Sequence, residues 1–260
     1  MRAPSFSPAA ITTRSPPPLG LAACRRAREA IDALLGPAAE VCDVPEEALG
    51  HNPGNGSFVH TISHPSPTLA VVADAMPRLV EAHAASLRSD VANTRLNGQH
   101  FIRTDPNTSD TPRSLGWHVD NAFLATHEAS TPREVYTRSI VTLSENGVQP
   151  GGGAIMISPA SVGVTRALVA DLLEEHGDAD YDGQEWRTKI VKTLTENPTE
   201  AAWHGSQLAT GQWGGEHLSE GIEVLTNEGD AVFFEAMSFH TASPVTNGQP
   251  RCKCSCDLCS

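Results

Sequence analysis

Two histidines, one aspartate and one arginine in this chain have the types and spacing to hold a metal ion and a carboxylate. His118 and Asp120 stand two apart in Gly116-Trp117-His118-Val119-Asp120. In a strand, a period of two puts both side chains on one face. His240 follows the turn Gly229-Asp230 and the apolar run Ala231-Val232-Phe233-Phe234. Two neutral imidazoles and a carboxylate suit non-haem Fe(II) and leave coordination positions open. Arg251 comes eleven residues after His240, beyond the Asn247-Gly248 dipeptide, a turn signal that lets the chain reverse. Its planar guanidinium can fork onto a carboxylate behind the metal.

Spacing alone does not single these residues out. His176-Gly177-Asp178 is a second His-x-Asp, and His127 to Arg138 and His176 to Arg187 repeat the eleven-residue interval. Context separates them. His176 follows an acidic stretch with helical spacing, where a His-x-Asp pair would not share a face. His118 and His240 fall in segments that read as strands.

The elements that must position these groups are mostly short strands. Gln99–Arg103, Trp117–Leu124, Tyr136–Leu143, Gly153–Ile157, Gly221–Leu225, Ala231–Glu235, Phe239–Val245 and Arg251–Asp257 are apolar or alternating runs separated by turn signals. About eight such short strands with turn signals between them predict a mainly β fold with flanking helices, an antiparallel jelly roll rather than βαβ units. Before them, residues 21–94 read as a helical support region. Residues 21–35 predict a helix stopped by Gly36-Pro37. Residues 50–67 read as a Gly/Asn/Pro-rich loop carrying His51, His60 and His64, which are read as surface or structural histidines. Residues 68–91 form a second helical stripe, kinked or split at Pro77, with His83 in or beside the core. Residues 159–220 interrupt the strands with a helix, an acidic stretch and a Gly-rich segment holding Trp203 and Trp213. Such an insert reads either as a lid over the site or as a solvated excursion.

Composition narrows the partners. The 260 residues carry a net charge of −13, and no basic face for nucleic acid shows. No apolar run reaches bilayer length. Four of the six cysteines crowd the last nine residues, unlike a spread disulfide framework, so a reducing intracellular compartment is expected, cytoplasmic by default. Residues 1–20 read as a disordered Pro-rich leader. The absence of Asp and Glu in residues 1–28, with five arginines, gives organelle targeting as the alternative reading, second to the disordered leader.

The segments Trp117-His118-Val119-Asp120, Ile140-Val141-Thr142-Leu143-Ser144, Gly151-Gly152-Gly153, Gly229-Asp230 and His240…Pro244-Val245-Thr246-Asn247-Gly248…Arg251 stand in the order found in a known family. Over roughly residues 95–258 the chain resembles the Fe(II)/2-oxoglutarate-dependent dioxygenases, in their prolyl-4-hydroxylase-like or phytanoyl-CoA-dioxygenase-like branches. The resemblance implies a double-stranded β-helix over 95–260 with Fe(II) held by His118, Asp120 and His240. It implies 2-oxoglutarate clamped by Arg251, O2 as oxidant, and succinate and CO2 as products. Asp120 fills a coordination position, which favours hydroxylation over halide transfer. In the phytanoyl-CoA-like branch an amide near Asn97 or Gln99 often contacts 2-oxoglutarate; a strand-surface amide is the plain alternative. Thr142 and Ser243 are candidates for the same cavity. The acidic balance favours a neutral small molecule or a peptide side chain over a polyanionic ester.

The chain departs from that family after Arg251. Cys252-Lys253-Cys254-Ser255-Cys256 replaces an apolar strand, and a period of two puts Lys253 on the face of Arg251. Either Lys253 reaches a carboxylate or the cavity mouth, or the strand frays. The Cys series reads as a Cys-faced strand, with Zn or Cu(I) binding and an unstructured tail as alternatives. A non-catalytic jelly-roll or cupin-like metal-binding module is the competing function.

Overall fold

In the computed structural model the described residues are 11–14, 17–36, 48–51, 57–63, 65–87, 90–110, 112, 118, 136–158, 161–162, 174, 222–236 and 238–259. Asp120, the rest of the Trp117–Leu124 segment apart from His118, nearly all of the 159–220 insert, and the competing His127, His176, Asp178 and Arg187 lie outside them.

Helix α1 (Leu21–Leu35) buries Ala23, Cys24, Ala27, Ile31 and Leu35, a stripe that recurs every fourth residue. It ends where Gly36, at φ 70°, donates its N–H to the Asp32 carbonyl. The stripe expected over 68–91 is split, as Pro77 requires. A 3-10 turn spans Leu69–Val72, and α2 runs Met76–Leu87. Pro77 stands in the first turn of α2, where its missing N–H breaks no helical bond.

The described residues form ten strands: β1 (Ile11–Arg14), β2 (Ala48–His51), β3 (Val59–Ser63), β4 (Arg95–Thr104), β5 (Tyr136–Thr142), β6 (Ile155–Ser158), β7 (Ile222–Val224), β8 (Ala231–Glu235), β9 (Phe239–Ala242) and β10 (Arg251–Cys259). They form a seven-stranded sheet in the order β1-β8-β5-β10-β4-β3-β2 and a three-stranded sheet in the order β7-β6-β9. All recorded pairings are antiparallel. His118 adds a bridge to the free side of β9. Strands β4, β10, β5 and β8 therefore face the His118 segment, β9, β6 and β7, the interleaved order of a jelly roll. The mainly β fold is as expected. Among the described residues, no helix is long and apolar enough to cross a membrane.

Two expectations are corrected. The leader carries β1, in which Ile11, Thr12 and Thr13 pair with Phe234, Phe233 and Val232; two of these three are β-branched threonines and one isoleucine, good strand formers within a Pro-rich context. The region read as loop over 50–67 holds the end of β2 and all of β3. β3 alternates in burial, with His60 and Ile62 buried and Val59, Thr61 and Ser63 less so, a half-buried strand hidden by flanking Gly and Asn.

Two apolar layers hold the sheets in place. One face of the large sheet packs Phe101, Val141, Leu143, Phe233, Cys254 and Leu258 against α1 and α2. The opposite face packs Ile140, Val232 and Phe234 against Ile155, Ile157 and Val224 of the small sheet. A fully buried side chain of this size contributes about 1.5–3 kcal/mol, so the space between the sheets is fixed by the second layer. The remainder of that space is the cavity.

β10 does not fray. It is the central strand of the large sheet, paired along its length with β4 and from Lys253 onward with β5. Cys252, Cys254 and Cys256 are buried on its helix-facing side. Arg251, Lys253, Ser255 and Asp257 alternate to the other side.

Candidate metal and carboxylate site

His240 begins the site because the chain around it is tightly bonded. Its backbone N–H donates to the His118 carbonyl and the His118 N–H donates to the His240 carbonyl, both at 2.9 Å. This closed pair brings the two imidazoles to a centroid separation of 4.4 Å. His240 is buried, and the edge of Phe234 packs on its ring at 5.0 Å. Its Nδ1 lies 2.8 Å from the Ser238 carbonyl oxygen. A carbonyl can only accept, so Nδ1 carries a proton, and Nε2 is the nitrogen a metal would take. That tautomer, fixed by a backbone carbonyl, is the arrangement by which proteins orient a metal-binding histidine.

Arg251 stands on the facing sheet, opposite Thr104 of β4. Its Nη1 donates a short hydrogen bond to the Gly153 carbonyl. Its Nε is buried with no partner among the described residues. Burial lowers its pKa to about 10, so it remains a cation at neutral pH. A buried guanidinium with an unpartnered N–H is costly unless an anion meets it.

Between the two sheets lies a cavity of about 180 Å³ whose lining includes His118, His240, Arg251, Arg138 and Lys253. Ile102, Ile140 and Ile155 supply apolar wall. The structure thus brings His118, His240 and Arg251 to one space, with Ser243 also on its wall. Thr142 borders a smaller void behind Arg251 and Lys253, its hydroxyl 2.6 Å from that of Thr226.

Gln99 is not brought there. Strand alternation sends Ile102 and Thr104 into the cavity and Gln99, Phe101 and Arg103 to the helix side. The Gln99 amide nitrogen sits 4.0 Å from the Cys254 sulfur. Asn97 occupies the irregular step where β4 shifts from Gly98 opposite Asp257 to Leu96 opposite Leu258. It is seven residues from Thr104, the register partner of Arg251, or roughly 23 Å of strand. Gln99 does not meet Arg251, and the Asn97 side chain lies outside the described residues.

The sequence reading did not assign Arg138 a role. It lines the cavity from β5 and is held by Asp257 of β10 at 2.8 Å. Its signal was parity: in Tyr136-Thr137-Arg138-Ser139-Ile140 it shares a face with Ile140.

The remaining histidines and cysteines have structural settings. His60 Nε2 lies 2.9 Å from Asp105 Oδ2, and Arg103 bonds the other oxygen at 2.8 Å. Burial would raise the Asp105 pKa, but these two partners hold it below the usual value. His83 is buried in α2 beside Phe233, while the side chains of His51 and His64 lie outside the described residues. Burial pushes Cys24 up to about 11 and Cys252 to about 12. The hydrogen bond shared with Cys254, then burial, raises Cys256 well above its ordinary value. These thiols stay protonated, whereas Zn and Cu(I) bind thiolates.

No protein-family model and no curated protein matches this chain. Solved structures do. The non-heme alpha ketoglutarate dependent epimerase SnoN from nogalamycin biosynthesis aligns with a TM-score of 0.58 at 15% identity, over 96% of this chain and 78% of that one. EvdO2 from Micromonospora carbonacea var. aurantiaca, complexed with 2-oxoglutarate, aligns with a TM-score of 0.56 at 14% identity, over 96% and 86%. The non-heme alpha ketoglutarate dependent carbocyclase SnoK, also from nogalamycin biosynthesis, gives 0.53 at 13%, over 96% and 79%. At these identities the likeness is one of fold.

Proposed function

We propose that this chain is an Fe(II)- and 2-oxoglutarate-dependent oxygenase that hydroxylates a small molecule or a peptide side chain, releasing succinate and CO2. The observation that carries the reading is the placement of a backbone-locked imidazole pair and a buried, incompletely partnered Arg251 on facing walls of one cavity. His118 and His240, with Asp120 two residues beyond His118, are the residues that would hold Fe(II), and their donor set fits it. The protonated Nδ1 of His240 leaves Nε2 for the metal. SnoN has been crystallised with Fe3+, alpha ketoglutarate and nogalamycin RO, which supports the same cofactor and cosubstrate here.

Bound iron would supply the site at which O2 and the keto acid react. The chain's own residues do the rest. Arg251 fixes the distal carboxylate through a forked, charge-assisted contact, so the keto end must point to the histidines. Ile102, Ile140 and Ile155 keep that path apolar, which strengthens the charge pairing inside it. The full two-histidine, one-carboxylate set favours hydroxylation over halide transfer, and analysis of the product separates hydroxylation from the epimerisation and ring closure for which SnoN and SnoK are named. The test is succinate formation from 2-oxoglutarate by the Fe(II)-loaded chain, with oxygenated product sought in a panel of small molecules and peptides. Absence of any Fe(II)-dependent 2-oxoglutarate turnover would turn the assignment to a non-catalytic metal-binding barrel.

A further inference from the structure

Arg138 and Arg251 line opposite ends of the main cavity. Arg251 begins β10, and Asp257 stands six residues further along that strand, opposite Arg138 of β5. Six residues of strand span roughly 20 Å. Two observations place His240 toward the Arg138 end. His240 pairs with Ile157 of β6, four residues beyond Gly153, whose carbonyl holds Arg251. Phe234 of β8 is the register partner of Arg138, and the edge of its ring packs on His240 at 5.0 Å. A ligand fixed by Arg251 therefore reaches the histidines from one end of the cavity. Arg138 faces the same histidines from the other.

The guanidinium at that end is held in place. Asp257 Oδ1 accepts from Arg138 Nε at 3.0 Å and from Nη2 at 2.8 Å. The two side chains are 17% and 21% exposed, so the contact is largely shielded from solvent. Two bonds to one carboxylate fix the plane of the guanidinium. They also offset its charge. Arg251, by contrast, meets no carboxylate among the described residues. An anionic substrate would be drawn to Arg251 and would compete there with the keto acid. A neutral carbonyl oxygen feels no such pull and needs only a directed N–H donor beside an apolar wall. Arg138 supplies the donor, and Ile140, two residues on along the same face of β5, supplies the wall.

Resting on the cosubstrate reading, we propose that Arg138, oriented by Asp257, binds a neutral carbonyl oxygen of the organic substrate, such as that of an amide. The two arginines divide the cavity. Arg251 takes the anionic cosubstrate, and the charge-paired Arg138 takes the neutral substrate on the other side of the metal-binding histidines. Asp257 acts through Arg138 as a positioning residue and sets its preference for a neutral group.

The experiment uses the full chain loaded with redox-silent Zn(II) and saturating 2-oxoglutarate, whose binding is first measured by calorimetry. The probes are hexanamide, hexanoate and hexylamine, matched in length and bearing a neutral carbonyl, an anion and a cation. Ligand-observed saturation-transfer NMR reads their affinities. The wild type should bind hexanamide more tightly than the other two. Arg138→Met should weaken hexanamide at least tenfold, about 1.4 kcal/mol, with Zn(II) and 2-oxoglutarate affinities within twofold of wild type. Arg138→Gln, which keeps a donor for Asp257 without the reach, serves should the Met variant fold poorly, and should behave as Met does. Asp257→Asn uncovers the charge of Arg138 and should turn the preference to hexanoate, a change that a merely structural pair would not produce. Unchanged hexanamide affinity in Arg138→Met would overturn the proposal and leave the cosubstrate reading standing. Absence of hexanamide binding by the wild type, or a wild-type preference for hexanoate, would do the same. Failure of the wild type to bind 2-oxoglutarate would overturn the parent reading itself, and it is seen before any probe is added.

Discussion

Gly153 and Arg251 share one space. A Cβ on Gly153 would fall 2.6 Å from Val245 Cγ2 and 3.4 Å from Arg251 Cδ, while the Gly153 carbonyl accepts from Arg251 Nη1. Gly153 also sits at φ 77°, where a side chain is strained. Gly153→Ala should therefore cost stability, on the order of 1–3 kcal/mol. It should also displace the guanidinium and weaken 2-oxoglutarate binding. Thermal melting and a cosubstrate titration check the two effects together. Loss of stability with intact cosubstrate affinity would show that the contact does not set the position of Arg251.

His118→Ala and His240→Ala should each reduce Fe(II) affinity by at least a hundredfold while the far-ultraviolet spectrum stays unchanged. Asp120→Ala should do the same. His176→Ala, in the competing His-x-Asp, should leave iron binding as in the wild type. Metal content after anaerobic Fe(II) loading and desalting is the measurement. The reverse pattern would move the metal to the other motif.

The strand carrying Arg251 was legible because its signal is local. Gly229-Asp230 turned where expected, and β8, β9 and β10 each begin at the expected residue, Ala231, Phe239 and Arg251. What misled was parity over a distance. Gln99 was plausible by chain separation, yet one residue of register decides which face of β4 a side chain takes. The irregular step at Asn97 could not be read from the sequence. β1 and β3 were missed because four or five residues of strand among Pro, Gly and Asn carry too little periodicity. Only pairing with β8 and β4 makes them strands. Lys253 looked like a cost because its face was known and the cavity was not.

His83 predicts an acid-labile core. Neither ring nitrogen has a hydrogen-bond partner among the described residues, and burial lowers its pKa from 6.5 to about 4. The folded state therefore favours neutral imidazole. The associated stability is complete above about pH 6.5 and falls as the pH drops towards 4, by up to about 3 kcal/mol. His83→Leu fills similar space without unsatisfied nitrogens. It should raise the melting temperature at pH 5 and flatten its dependence on pH between 4 and 6.5. An unchanged slope would show that other groups govern acid unfolding.

Cys24, Cys252, Cys254 and Cys256 are buried free thiols, and the three pKa values raised by their surroundings belong to Cys24, Cys252 and Cys256. The thiolate is the reactive form. Brief treatment of the native chain with iodoacetamide at pH 8 should leave these four unmodified, and denaturant should expose all of them. Mass spectrometry of digested protein reads the sites directly. Rapid native labelling of Cys254 or Cys256 would mean that β10 opens, against its place at the centre of the large sheet.

Arg251 decides the cosubstrate assignment. Its guanidinium keeps one N–H on Gly153 and leaves Nε unpartnered in a buried site. A carboxylate arriving there gains charge-assisted hydrogen bonds of about 1.5–3 kcal/mol each. Arg251→Lys retains the charge and loses the fork. A lysine at this position cannot bond Gly153 and hold both carboxylate oxygens in one plane. It should weaken 2-oxoglutarate by at least tenfold, about 1.4 kcal/mol, with iron affinity nearly unchanged because the histidines sit on the opposite sheet. Arg251→Ala should be worse, since the fork and its charge are both lost and part of the distal carboxylate is buried without a donor. The measurement is a 2-oxoglutarate titration of wild type and both variants at saturating Fe(II) without oxygen. Unchanged affinity in Arg251→Ala would mean that the buried guanidinium serves the barrel wall and that the cavity takes some other ligand.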